Sequence, residues 1–182
     1  KVYSRNIEKA EVTLYELFPS NLVKALDYME AGKTSGSFGQ ELSRKIASRS
    51  IEFEKKPNAR VEAALPMDGF MPEGKKGIFG LTLSRGDDYY DTKIVVWTDI
   101  GVLAHWQDDQ LLIYTHNLWN LAPLADAKVT VYSAKHQSMG EVVTGADGVA
   151  RLQGWDPELG RPRVVIVETT DDFTFLPLNE RT

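Results

Sequence analysis

Apolar and polar residues alternate along this chain in short stretches divided by Gly, Pro, Asp and Asn. That pattern belongs to half-buried β-strands joined by turns. The first stretch is Ala10 to Phe18, with Val12, Leu14, Leu17 and Phe18 apolar and Pro19-Ser20 ending it. Leu22, Ala25, Leu26 and Met29 then fall at helical spacing, so a short helix over 22–29 is expected, capped by Ser20. Ala31 to Gly39 is rich in glycine and small hydroxyl residues and reads as a loop. Leu42 to Phe53 alternates weakly; a helix is possible there, but the Ile and Ser content favours a strand. Val61-Ala63-Leu65, Phe79-Leu81-Leu83 and Thr92 to Thr98 complete the strands of the first half, with Arg85-Gly86-Asp87-Asp88 as a turn.

A seam follows at Thr98-Asp99-Ile100-Gly101. Beyond it the pattern predicts Val102 to Gln107, Leu111 to Asn117, Lys128 to Ser133, Gly140 to Thr144, Val149 to Leu152, Arg163 to Thr169 and Phe173 to Leu176 as strands. Val102, Ala104 and Trp106 share one face, and the Val164 to Val167 run reads as a central strand. No β-α-β alternation and no exact repeat occurs. The fold class is therefore all-β: two tandem antiparallel β-sandwich domains, 1–98 and 99–182, with a short helix in the first.

Composition narrows the function classes. The net charge is −5 and basic residues are scattered among acids, which opposes a phosphate-binding surface, so no nucleic-acid partner is expected. The absence of cysteine removes disulfides, thiol nucleophiles and thiolate metal sites together. No apolar run approaches the length of a membrane span, so direct membrane insertion is not expected. The chain starts at Lys1 without a signal peptide or an initiating Met and reads as a mature or excised fragment.

Candidate chemistry is sparse, and no catalytic, cofactor or metal residue is assigned. Gly32-Lys33-Thr34 looks like the end of a phosphate loop, but Asp27 stands where the leading glycine is needed. Of the three histidines, His105, His116 and His136, the first two sit on neighbouring strands and could lie close together; none has ligand spacing. The acidic turns at Asp87-Asp88 with Asp91, Asp108-Asp109, Asp147 and Asp171-Asp172 match no calcium loop. Ser37 in Gly36-Ser37-Phe38-Gly39 lacks nucleophile-elbow spacing. Trp97 and Trp106 flank the seam in apolar strands, where core or inter-domain packing accounts for them. Trp119 and Trp155 fall in loops and form the candidate sugar-stacking pair.

Val96 to Val102 resembles the junction between consecutive macroglobulin-like domains of bacterial alpha-2-macroglobulins. Asn117 to Val131, Thr144 to Ala150 and Asp172 to Leu178 resemble, in order and spacing, later segments of the same domain type. Gly77-Ile78-Phe79 and Phe18 to Leu22 are similar to segments of the preceding one. The resemblance implies two macroglobulin-like domains from the N-terminal part of a large protease trap of the bacterial envelope. It implies a periplasmic setting and a parent that is membrane-anchored. Its partners would be neighbouring domains of the parent chain, and proteases through the full-length protein only. The family's Cys–Gln thioester has no counterpart here because there is no cysteine, and no segment looks like a bait region. The expectation is thus a structural role without catalysis. The rival readings are an Ig-like adhesin or invasin array, and a carbohydrate-binding module using Trp119 and Trp155.

Overall fold

In a computed structural model the described residues are 1–30, 41–65, 67, 69–86, 88–107 and 110–178. The expected loop at 31–39, with Gly32-Lys33-Thr34 and Ser37, lies outside them, as do Asp87, Asp108 and Asp109. The chain divides into two compact units. The first holds Lys1–Lys75 and Phe79–Val95; the second holds Lys76–Ile78 and Val96–Thr182. Both are built from antiparallel sheets, so the all-β sandwich class read from the sequence stands.

The first unit contains strands β1 (Val2–Arg5), β2 (Lys9–Leu17), β3 (Ser43–Glu52), β4 (Arg60–Ala63), β5 (Gly77–Arg85) and β6 (Asp88–Trp97), with helix α1 (Leu22–Glu30). The ends of β5 and β6, at Gly77-Ile78 and Val96-Trp97, are counted with the second unit. A four-stranded sheet runs β3-β2-β5-β6, and β1 pairs with β4. In β2, Ala10, Val12 and Leu14 point to one face and pack with Ile51, Phe53, Val61, Phe70 and Phe79. On the other face Thr13 lies opposite both Ser48 and Thr82. Thr13 Oγ1 sits 3.1 Å from Ser48 Oγ, and Thr82 Oγ1 sits 3.2 Å from Thr92 Oγ1. One hydroxyl from each strand thus forms a row, and Ser48 at its edge also donates to the Glu11 carboxylate.

Of the expected stripe on α1, Leu22 and Ala25 are buried and Leu26 is half-buried; Val23 beside them is buried as well. Ser20, expected as the helix cap, instead lies inside a 3-10 turn, Pro19–Asn21. Leu42 to Phe53 resolves in favour of the strand. Strand β1 has no signature in the sequence pattern, because Ser4 and Arg5 leave it too short and polar to alternate.

The second unit contains β7 (Ile100–Gln107), β8 (Gln110–Asn117), β9 (Lys128–Ser133), β10 (Ser138–Val143), β11 (Val149–Gln153), β12 (Pro162–Glu168) and β13 (Phe173–Pro177). One sheet runs β11-β8-β7 and the other β10-β9-β12-β13. Between them lie Leu111, Ile113, Ala150, Leu152, Val129, Val131, Val165 and Val167, all buried. The expected shared face of Val102, Ala104 and Trp106 packs against this core. Val164 to Val167 are buried throughout, which is why that segment carries no alternation.

Candidate functional site

The seam is where the side-chain chemistry of the second unit gathers. The Asp172 carboxylate, 6% exposed, accepts through Oδ2 from Thr98 Oγ1 at 3.0 Å and from the Asp99 amide at 2.8 Å. Thr98 Oγ1 in turn accepts from the Ile100 amide at 3.0 Å. The Asp172 carbonyl receives the Thr169 amide at 2.8 Å, which holds the β12–β13 turn. The other carboxylate oxygen, Oδ1, is buried and has no hydrogen-bond partner among the described residues. Burial therefore pushes the Asp172 carboxyl above the usual carboxylate range, although the Asp99 amide, Thr98 hydroxyl and Lys76 ammonium oppose the shift.

Asp99 stands in the opposite situation. Its carboxylate takes the Lys76 ammonium at 2.6 Å on Oδ2 and the Trp119 indole N–H at 2.9 Å on Oδ1. These two donors hold it below the ordinary carboxylate range. Its carbonyl receives the Leu118 amide at 2.8 Å. Two adjacent acidic positions, one shared with a cation and one buried, fix the start of β7 to β13 and to the turn after β8. That arrangement clamps backbone.

A second lock joins the other signature segments. Thr144 Oγ1 accepts from the Ala127 amide at 2.9 Å and donates to the Leu124 carbonyl at 2.7 Å. Thr115 Oγ1 donates to Leu124 O at 3.0 Å, and its amide donates to Gly148 O at 2.8 Å. Gly148 has φ +72°, and a Cβ there would meet Thr115 O at 2.4 Å, so the Asp147-Gly148 turn needs glycine. At the seam, Gly101 lies opposite His116, and a Cβ on it would meet the imidazole at 2.4 Å.

The remaining candidates do not converge. His105 lies opposite Leu112 while His116 lies opposite Gly101, so register places the two histidines roughly 13 Å apart along the hairpin. The expected closeness is corrected: adjacent strands bring residues together only at matching register. His136 has positive φ in the turn before β10. Asp91 belongs to β6, not to a turn, and pairs with Lys93 at 3.2 Å. Asp147 Oδ1 caps the Val149 amide at 3.1 Å. Among the described residues, no three His, Asp or Glu side chains gather as a metal ligand set.

The tryptophan pair also separates. Trp155 packs edge-on against Trp106, with ring centroids 5.6 Å apart, over the core of the second unit. It follows β11, whose Gln153 lies opposite Gln110, whereas Trp119 follows Asn117 at the far end of β8. The length of β8 puts roughly 20 Å between the two ends, too far for one stacking platform. Trp119 stands 83% exposed. Trp97 is 53% exposed, so of the two expected roles, core or inter-domain packing, the core one is corrected: its place on an apolar strand did not fix which face it takes.

A pocket of about 210 Å³ opens in the first unit beside Asn6, Glu8, Glu54, Lys55 and Lys56. Its charges are spent on each other, Lys55 with Glu8 at 2.5 Å and Lys56 with Glu54 at 2.7 Å. No helix among the described residues is long and apolar enough to cross a membrane.

Residues 97–182 match the family model described as the bacterial alpha-2-macroglobulin MG3 domain. Alpha-2-macroglobulin of Escherichia coli K12 is 23% identical over 159 residues, covering 84% of this chain and 10% of that protein. The chain thus spans about a tenth of the length of this curated relative. A crystal structure of native Escherichia coli alpha-2-macroglobulin spanning domains NIE-MG1 superposes with a TM-score of 0.79 at 18% identity, covering 97% of this chain and 86% of that one. Salmonella alpha-2-macroglobulin reacted with methylamine gives 0.74 at 18% identity, covering 97% of this chain and 10% of that one. Family model, curated relative and solved structures converge: this chain resembles bacterial alpha-2-macroglobulin in its domain type, with residues 97–182 matching the MG3 domain of that family.

Proposed function

We propose that this chain supplies two structural domains, 1–98 and 99–182, to a larger bacterial alpha-2-macroglobulin that traps proteases at the cell envelope. The chain spaces and orients other parts of that molecule and performs no catalysis itself. Its partners are neighbouring domains of the parent, which meets proteases as a whole. The parent works in the periplasm and is membrane-anchored.

The observation that carries this reading is where the signature residues are spent. Thr98, Asp99, Asp172, Leu124, Ala127, Thr144 and Gly148 satisfy one another's backbone and side-chain polar groups. Residues used in that way specify a shape.

The test is protease inhibition by the full-length parent, read with two substrates. A trap blocks cleavage of a large protein and spares a small peptide, because only the large substrate is kept from the enclosed enzyme. The isolated 182-residue chain is expected to leave both cleavages unchanged. Inhibition by the isolated chain, or a parent that blocks neither substrate, overturns the reading.

A further inference from the structure

The turn after β8 gathers exposed apolar side chains: Leu118 is 49%, Trp119 83% and Leu121 70% exposed. The turn is held internally. Asn117 Oδ1 accepts from the amides of Trp119 and Asn120 at 2.9 and 3.2 Å, and Asn117 O accepts from Leu121 at 2.9 Å. Leu121 takes a positive φ of 59° to present its side chain there. The indole is oriented as well, by its N–H bond to Asp99, whose charge Lys76 offsets.

An indole whose single polar atom is already bonded offers a partner apolar area and little else. Being fixed beforehand, it loses little rotamer freedom on burial. The flanking residues, Leu118 and Leu121, add no hydrogen-bonding groups. The surface therefore fits an apolar, uncharged recess on a protein.

Area decides which protein. The three side chains together offer on the order of 400 Å², about half of what each partner contributes to a stable interface between free proteins. Two copies of this chain would not be held by it in solution. A domain in the same polypeptide would be, since tethering raises the effective concentration to about millimolar. A curated relative about ten times the length of this chain leaves ample sequence for such a domain.

We propose that the Leu118–Leu121 turn is a docking knob, with Trp119 as its anchor, for an apolar recess on another domain of the same parent chain. This rests on the functional reading above. Hydroxyl-radical footprinting read by mass spectrometry tests it, on the full-length parent and on the 182-residue chain, each normalised to an added reporter peptide. Oxidation of Trp119 is expected to fall about fivefold or more in the parent, as for a side chain moved into an interface core. Equal oxidation in the two samples overturns the proposal.

Two other results also overturn it. Self-association of the 182-residue chain that is lost in a folded Trp119→Ala variant would assign the knob to a second copy. Quenching of tryptophan emission by soluble glycans, lost in the same variant, would assign it to sugar. A parent without further macroglobulin domains sinks the functional reading and this proposal together. Unchanged oxidation in a parent that has them sinks the proposal alone.

Discussion

Asp172 is buried, accepts two hydrogen bonds on one oxygen and has no partner among the described residues on the other. Asp172→Ala leaves the Thr98 hydroxyl and the Asp99 amide without their acceptor and is expected to cost about 2–4 kcal/mol in urea unfolding. Asp172→Asn keeps an acceptor in place and removes the buried charge, so it should cost less at neutral pH. The pH dependence has a definite sign. The folded-state pKa of Asp172 is raised, so the native protein binds this proton more tightly than the unfolded chain does. The contribution is fully present below the unfolded value of about 3.9 and is lost as pH rises through the folded value. Wild type should therefore lose stability relative to Asp172→Asn as pH climbs through that window, measured by paired urea melts. Elsewhere burial decides the outcome. Val165→Ala, at a fully buried site, is expected to cost about 2 kcal/mol, whereas Trp97→Ala at a half-exposed site should cost under about 1 kcal/mol.

At the scale of elements, the hairpins hold the most information. Gly148→Ala should destabilise by more than about 2 kcal/mol, because it adds a close contact with Thr115 O to an unfavourable φ. A thermal melt checks it, with Gly74→Ala as a control of similar φ but with open space around it. The strands of the second unit were legible from residue pattern because each core strand alternates or runs apolar. The helix was legible from spacing. Strand β1 was not, because its structure comes from pairing with β4, more than fifty residues away (Val2 opposite Ala63), and not from its own four residues. Register was equally hidden. Sequence places His105 and His116 on adjacent strands, but only the pairing of Gly101 with His116 shows that the histidines stand apart. The seam was legible as a motif. Its partner Asp172 read as a turn acid and as the start of the closing Asp172–Leu178 segment, but nothing local marks a carboxylate that serves residues 98 and 99.

For the whole molecule, the second unit includes Thr98 and Lys76–Ile78 as well as everything from Val96 onward. A fragment cut at the seam residue itself, 99–182, loses Thr98 and with it one of the two donors to Asp172. A fragment 96–182 keeps that donor and should be more stable by about 1–2 kcal/mol in urea. Equal stability would mean that the latch contributes nothing. The placement of the aromatic residues has a spectroscopic consequence. All four tryptophans, Trp97, Trp106, Trp119 and Trp155, fall within the second unit, while the first unit carries none. Emission intensity during denaturation therefore follows one half of the chain, and far-ultraviolet dichroism follows both. The gap between the two curves is a label-free readout of whether the halves melt as one cooperative block or in turn.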